Sequence, residues 1–297
     1  KLVQHIFESI AAKAGTEPCV AFMGNGAAGH YVKMVHNGIE YAVMQMISEV
    51  YGLLKNEGLS NEELHELFKS WNEGELESFL IEITAEIFKT IDPETGKDLI
   101  DLILDKAKQK GTGLWTSQSA LELNVPIPTI DSSVSMRYLS ALKDERDRLS
   151  GFYVHQNKKT DTDLEAFKKD CRDALHFGFM MAYGQGLELL EEASTVYNYN
   201  IDIPTVIKVW RAGCIIRSLL LNDLYDAFSS EPGLKNIIGS AVFIPVLKEK
   251  RRGLVNFLKP AMDGGVPALT FATTISYFDA YTQDRLPANL IQAQRDF

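Results

Sequence analysis

One base, one acid and three hydrogen-bonding side chains recur at helical spacing early in the sequence. They are Lys33, His36, Asn37, Glu40 and Tyr41. At about 100° per residue, these positions fall on one face of an α-helix. A base and an acid stacked with hydrogen-bonding groups on one face of an otherwise apolar helix are unusual. The alternative is an exposed stripe of solvated charges, which the apolar remaining positions of the segment argue against. Gly38 leaves a gap beside this face, where another group could approach closely.

A second group combines lysines, glycines and a hydroxyl. Lys108 and Lys110 come just before Thr112, which Gly111 and Gly113 flank. Such a turn can wrap an anion with backbone N–H groups and ammonium charge. A helix that ends at Gly111, with lysines in its last turn, explains the same residues, and both interpretations stay open.

Two further segments carry arginines. Arg137 lies among apolar residues and could bind a phosphate with its guanidinium fork, although a lone arginine there is usually a salt-bridge partner. The small residues of the segment 210–217 indicate close helix packing, with Arg211 and Arg217 in structural roles.

The segment 24–29 matches the G-x-G-x-x-G pattern of dinucleotide-binding folds. A true fingerprint belongs to a βαβ unit with a second strand about thirty residues on. Here a long helix follows instead, so we interpret the segment as a tight loop where that helix begins.

The elements that must position these groups are nearly all helical. Apolar residues spaced by about 3.6 predict a long helix over 30–56, and no run of alternating strands and helices appears. Strand character is confined to 17–23 and 196–199. The sequence therefore predicts an all-α fold. The other predicted helices are 60–70 with Ser60 as N-cap, 75–89, 96–110, 135–149, 163–193, 204–226, 234–258 with a kink or break at Pro245, and 267–282.

The amino-acid composition argues against several classes of protein. The 297 residues include 30 Lys and Arg against 40 Asp and Glu, a net charge of −10. This balance argues against a broad basic face for nucleic acid but allows a small anionic substrate in a local basic pocket. No apolar run approaches the roughly 18 residues of a membrane helix. The chain begins with Lys1 and no signal peptide follows, so we expect a piece of a longer protein.

Three cysteines are widely separated and lack metal-ligand spacing: Cys19, Cys171 and Cys214. A disulfide scaffold is therefore not expected, and the pattern favours the reducing cytoplasm.

Several collinear blocks together resemble the decarboxylating 6-phosphogluconate dehydrogenase family. They are GHYVKMVHNGIEY at 29–41, SFLIEIT at 78–84, QKGTGLWT at 109–116, LSALKDER at 139–146, WRAGCIIRS at 210–218 and LPANLIQAQRD at 286–296. The resemblance implies that 29–297 is an all-helical substrate-binding and dimerisation domain. It also implies that 1–28 is a remnant of an N-terminal Rossmann domain, and that the protein is a homodimer.

The resemblance further implies oxidative decarboxylation of 6-phosphogluconate with NADP, with Lys33 as base and Glu40 as acid. Lys33 would have to be uncharged to accept the proton of the 3-hydroxyl, and its ammonium form would then stabilise the enolate. No metal is expected, because the intermediate ketone accepts the electrons. The remaining implied site residues are His36, Asn37 and Tyr41 along the substrate, Lys110, Thr112 and Arg137 at its phosphate, and Arg295 reaching the phosphate in the neighbouring subunit.

The sequence also departs from the family at several places. Leu114 stands where lysine is usual, Ala42 and Val43 replace Gly-Asp, and Phe22-Met23 precedes Gly24 where Trp-Val is usual. The family continues past residue 297 into a tail with a substrate-binding histidine, so we expect no turnover from this chain alone. A non-catalytic helical dimerisation or scaffold module of the same descent is the alternative. A related β-hydroxyacid dehydrogenase is a weaker alternative, because such an enzyme would lack the phosphate-binding residues Lys110 and Arg137.

Overall fold

A computed structural model describes residues 2–108, 110–153, 159 and 163–297. Lys1 and Gln109, which belong to the remnant and to one of the family blocks, lie outside the described residues. The α-helices of the described part are α1 (Gln4–Ile10), α2 (Ala28–Glu57), α3 (Asn61–Asn72), α4 (Phe79–Phe88), α5 (Thr112–Glu122), α6 (Pro128–Ala141), α7 (Lys143–Ser150), α8 (Leu164–Val196), α9 (Ile203–Trp210), α10 (Leu220–Ser230), α11 (Phe243–Gly264), α12 (Leu269–Tyr281) and α13 (Ala288–Asp296).

Helices account for nearly all the regular structure of this part, which confirms the all-α prediction. The other elements are two short 3₁₀-helices, Leu99–Leu102 and Ile237–Gly239, and two antiparallel two-residue strands, β1 (Lys13–Ala14) and β2 (Glu17–Pro18). No helix of the described residues is long and apolar enough to cross a membrane.

The centre of the fold is α8, which packs against α2 and α11. Its 33 residues extend about 50 Å at 1.5 Å per residue, and residues 173–187 are all buried. Glycines on α8 allow α2 to come close. A Cβ at Gly186 would lie 2.6 Å from Cδ1 of Ile39, and one at Gly178 would overlap Sδ of Met46. One side of α2 is therefore fixed against the core, and the other side is left to form a site.

Helices with strong local signals are confirmed. The prediction 30–56 corresponds to α2, 163–193 to α8 and 267–282 to α12. Ser60 caps α3 as expected, since its hydroxyl accepts from the backbone of Glu63 while the Glu63 carboxylate accepts from the backbone of Ser60.

Two predicted helices are broken by backbone geometry. The prediction 204–226 is wrong in the middle, because α9 ends at Trp210 and α10 begins only at Leu220. Gly213 lies between them with φ +72°, and a Cβ there would lie 2.6 Å from Cβ of Ala12. The prediction 135–149 is divided at Leu142 into α6 and α7. Helix α6 also begins earlier, with Pro128 in its first turn, where a missing N–H costs no hydrogen bond.

Other boundaries differ for similar local reasons. The helix predicted over 75–89 begins at Phe79 because Ser78 caps it. Pro245 lies in the first turn of α11, so it helps to start that helix instead of kinking it. The helix predicted over 96–110 is wrong, since the described residues there contain one 3₁₀ turn and otherwise irregular chain. The strand predicted over 196–199 is also wrong, and only Glu17 and Pro18 of 17–23 are in a strand.

Candidate active site

The five polar residues predicted on one helix face do lie together along α2. His36 is at their centre: its Nδ1 is 3.2 Å from Nζ of Lys33, 3.2 Å from Oδ1 of Asn37 and 3.9 Å from Oε2 of Glu40. An unprotonated Nδ1 accepts a hydrogen bond from Lys33, whereas a protonated one donates to Asn37. The side chain of His36 is 2% exposed and that of Glu40 is 16% exposed. Burial of His36 and Glu40 excludes the solvated-charge interpretation for these two residues, whereas Lys33 is exposed.

The gap at Gly38 is filled by the protein itself. Thr116 of α5 lies against it, and a Cβ at Gly38 would be 2.7 Å from Cγ2 of Thr116. The Thr116 hydroxyl shares its one hydrogen between the backbone oxygens of Met34, at 3.0 Å, and Thr112, at 2.8 Å. This contact holds the start of α5, including Thr112, beside the polar face of α2.

Tyr41 and Arg137 form the other end of the site. The guanidinium carbon of Arg137 is 3.8 Å from the centre of the Tyr41 ring, a cation–π contact. Gly113 makes room for that ring, since a Cβ there would lie 2.6 Å from it. Arg137 also donates from Nη1 to the backbone oxygen of Lys108 at 3.1 Å. Among the described residues Arg137 is stacked and bound to backbone, and it is not a salt-bridge partner.

Helix α5 begins at Thr112, directly after Gly111 with φ +103°. The interpretation of Gly111 as the end of a helix is therefore wrong. Thr112 and Lys33 line one pocket of about 410 Å³, together with Tyr31 and Trp115. Lys110 is exposed just before this helix start.

Arg295 is not brought to the stripe within this chain. It lies in the last turn of α13, a helix with no buried residue. A larger groove, of about 840 Å³, lies elsewhere, between the β1–β2 hairpin and the starts of α4 and α10. Its arginines are already engaged, Arg217 with Glu82 at 3.3 Å and Arg211 with Glu17. We therefore place the candidate site on α2.

Burial shifts the two titratable groups at the centre in opposite directions. Desolvation lowers the pKa of His36 to about 4, with a further lowering by the charge of Lys33, whereas a hydrogen bond that His36 donates to Asn37 opposes the shift. Desolvation raises the pKa of Glu40, against the opposing charges of Lys33 and Arg137. His36 is therefore neutral at pH 7, and the protonated form of Glu40 persists to higher pH than in water. Glu40 is thus suited to donate a proton.

Sequence reasoning missed the aromatic wall behind His36. The Trp210 ring meets the His36 ring edge to face, with centroids 5.8 Å apart. The sequence predicts only close helix packing for the segment around Trp210. A single sequence holds no signal that pairs two residues 174 positions apart. This contact helps to keep the imidazole desolvated.

The glycine loop at 24–29 does not form a dinucleotide site. The backbone N–H of Asn25 donates to the oxygen of Tyr199 at 2.6 Å, and a Cβ at Gly24 would overlap the same oxygen. The glycine loop is therefore used for packing, and α2 follows it without a βαβ unit in the described part of the chain. That part also contains no group of three side chains able to hold a metal ion.

Comparisons with known proteins agree with this architecture. Residues 29–297 match the family model for the 6-phosphogluconate dehydrogenase C-terminal domain. The chain is 47% identical to "6-phosphogluconate dehydrogenase, decarboxylating" of Lactococcus lactis subsp. lactis (strain IL1403), covering 100% of this chain and 63% of the relative. It is also 47% identical to "6-phosphogluconate dehydrogenase, NADP(+)-dependent, decarboxylating" of Bacillus subtilis (strain 168), covering 100% and 64%.

A solved structure has the same fold. The Plasmodium falciparum 6-phosphogluconate dehydrogenase, described in its apo form and with NADP+ or 6-phosphogluconate, superposes with a TM-score of 0.96 at 38% identity. The match covers 99% of this chain and 64% of that one. The chain thus spans slightly less than two thirds of the length of these relatives. With the family model matching 269 consecutive positions (29 to 297), the chain belongs to the 6-phosphogluconate dehydrogenase family.

Proposed function

We propose that this chain is the substrate-binding part of an enzyme that oxidatively decarboxylates 6-phospho-D-gluconate to D-ribulose 5-phosphate and CO₂ while reducing NADP. The observation that carries the proposal is the partly buried polar face of α2, which lies beside Arg137 and the start of α5. A non-catalytic dimerisation module of the same family would have no need to bury His36 and Glu40 together, because unpaired polar groups are costly inside a protein.

The two proton-transfer roles go to Lys33 and Glu40. Lys33 would accept the proton of the 3-hydroxyl while NADP, bound outside this chain, would accept hydride from C3, and the product would be a 3-keto acid. The C1–C2 bond then breaks, CO₂ leaves, and the bonding electrons move to the C3 carbonyl oxygen, which the Lys33 ammonium protonates. Glu40 donates a proton to the carbon that has lost CO₂, and Lys33 removes the proton of the neighbouring hydroxyl to give the ketone.

The other groups bind and orient the substrate. His36 and Asn37 lie beside Lys33 and provide neutral hydrogen-bonding atoms along the sugar chain, and Tyr41 lines the same face. Lys110, Thr112 and Arg137 hold the phosphate, where the fork of Arg137 suits a bidentate contact.

We further propose a homodimer in which Arg295 reaches the phosphate bound by the neighbouring copy. Its helix, α13, is unburied in the single chain and exposes Leu290 and Ile291, at 59% and 62%. Such apolar exposure is consistent with a helix that packs on a second molecule.

The remaining assignments complete the proposal. We assign residues 29–297 to the substrate domain and 1–28 to the end of a nucleotide-binding domain, with NADP bound outside this chain. The three cysteines are all free thiols, which supports a reducing compartment, the cytoplasm.

Calorimetric titration of the 297-residue chain tests the proposal. We expect saturable binding of 6-phosphogluconate and much weaker binding of gluconate, because only the former engages Arg137. If 6-phosphogluconate does not bind to a sample with full helical circular dichroism, the proposed function is wrong.

A further inference from the structure

Arg146 links two segments that meet behind the proposed phosphate site. From α7, its Nη1 bonds Oδ2 of Asp105 at 2.9 Å, and its Nη2 donates to the backbone oxygens of Asp105, at 3.2 Å, and Ser140, at 3.0 Å. Lys143 adds a contact from Nζ to Oδ1 of Asp105 at 3.2 Å. One guanidinium therefore connects the irregular chain at 105 to the end of α6.

Further bonds continue this attachment toward Lys110. The backbone N–H of Ala107 donates to Oγ of Ser140 at 2.9 Å, and that hydroxyl donates to the backbone oxygen of Arg137 at 2.7 Å. The guanidinium of Arg137 donates a hydrogen bond to the backbone oxygen of Lys108. Three of the four residues from 105 to 108 are thus bound to side chains of α6 or α7. We name these bonds the 105–108 clamp.

No buried apolar side chain fixes the path of residues 101–108. All eight residues from 101 to 108 are exposed, so their course is set by polar contacts and not by burial. The same segment leads within a few residues to Lys110 and Thr112, two of the proposed phosphate ligands. A segment held only by polar contacts loses its order when they are removed, and the ligand must then order it on binding.

We infer that Arg146 is a positioning residue for the phosphate subsite, acting through the 105–108 clamp on Lys110 and Arg137. This inference rests on the proposed function. Arg146 does not touch the substrate; it presets the geometry of the groups that do. The effect of losing it should therefore be confined to ligands that carry the phosphate.

The test compares two variants with matched controls. Arg146→Gln removes the guanidinium fork, and Ser140→Ala removes the hydroxyl that accepts from Ala107 and donates to Arg137. Arg148→Gln is the control for the first, since Arg148 lies on the same helix and pairs with Glu145 there. Ser135→Ala is the control for the second, because its hydroxyl bonds the oxygen of Asp131 within α6.

Calorimetry measures the Kd of each variant for 6-phosphogluconate and for gluconate, and circular dichroism checks helical content. We expect Arg146→Gln to weaken 6-phosphogluconate binding about tenfold, the size expected for charge-assisted hydrogen bonds, and to change gluconate binding less than about twofold. Ser140→Ala should weaken 6-phosphogluconate binding by a smaller factor, again with little change for gluconate. Both controls should match the unaltered chain. In a complete enzyme containing this chain, Arg146→Gln should raise KM and leave kcat nearly unchanged.

Equal losses for both ligands, or no loss for 6-phosphogluconate, would overturn the positioning role. If Arg146→Gln lowers helical content, Ser140→Ala decides the question, and an unchanged selectivity in that variant overturns the inference. Failure of the unaltered chain to bind 6-phosphogluconate would refute the proposed function itself, and this role with it.

Discussion

Gly38 is a position of close contact between α2 and α5 in the proposed site, so Gly38→Ala is an informative perturbation. In an ordinary helix interior, glycine to alanine raises the free energy of unfolding by about 0.5–1 kcal/mol. Here the new Cβ would lie 2.7 Å from Cγ2 of Thr116, which is fully buried. The Thr116 hydroxyl shares its hydrogen between the backbone oxygens of Met34 and Thr112, so the side chain cannot rotate away without losing this contact.

The expected change in the free energy of unfolding follows from these two opposing effects. Overpacking of a core costs about 1–3 kcal/mol, and the anchored position of Thr116 favours the upper part of that range. After the helix-propensity gain, Gly38→Ala should lower the free energy of unfolding by about 1–2 kcal/mol. Gly52→Ala on the same helix is the control, since its Cβ would meet only Cγ1 of Val266 at 4.0 Å. That variant should be neutral or more stable.

Urea unfolding followed by helical circular dichroism measures both variants, with the midpoint compared at constant m. Thr116→Ser removes the atom nearest the new methyl group and keeps the hydroxyl, so adding it to Gly38→Ala should restore at least half of the lost stability. If Gly38→Ala stabilises the chain as much as Gly52→Ala does, the close approach of α5 to α2 is wrong.

Three further outcomes are expected. Arg137→Ala should weaken 6-phosphogluconate binding by about 1.5–3 kcal/mol in calorimetry, as for a hydrogen bond to a charged group, and leave gluconate almost unaffected. Equal losses would remove Arg137 from the phosphate subsite. In a complete enzyme, Lys33→Met should abolish NADPH formation, while Glu40→Gln should slow product release by about 10²–10⁴-fold and leave a burst of NADPH in stopped flow. Normal NADPH formation by Lys33→Met would contradict the proposed roles. The side chain of His176, whose Nδ1 lies 3.3 Å from Oε2 of Glu75, lowers the pKa of Glu75 from 4.5 to about 2 with help from Lys250, so the stabilisation is present above pH 4.5 and lost as the pH falls toward 2. Glu75→Gln should flatten the decline of urea stability over that window, and an unchanged slope would rule this contribution out.

The sequence predicted best what is decided locally. Helix α2 and its polar face follow from a period of 3.6, and the cap of α3 follows from Ser60 and Glu63 three residues apart. Lys33 and Glu40 lie on the same face of the helix because seven residues make about two turns. No tertiary information is needed for either result.

Contacts between distant parts of the chain could not be predicted in this way. The break after Trp210 depends on Ala12, which occupies the space beside Gly213. The cation–π contact of Arg137 with Tyr41 joins residues 96 positions apart, and the sequence indicated only that each might bind a ligand. The mistaken helix over 96–110 has a similar cause, because the polar contacts that fix residues 105–108 come from α6 and α7.

The rigidity of α2 has a consequence for inhibitors. The proposed base and acid lie seven residues apart on one helix, about 10 Å along its axis, and the opposite side of that helix is fixed on α8. Whatever approaches this face leaves the spacing of the two positions as it is. A compound that bridges only these two groups would therefore meet a fixed separation. Any further selectivity has to come from atoms that reach beyond α2.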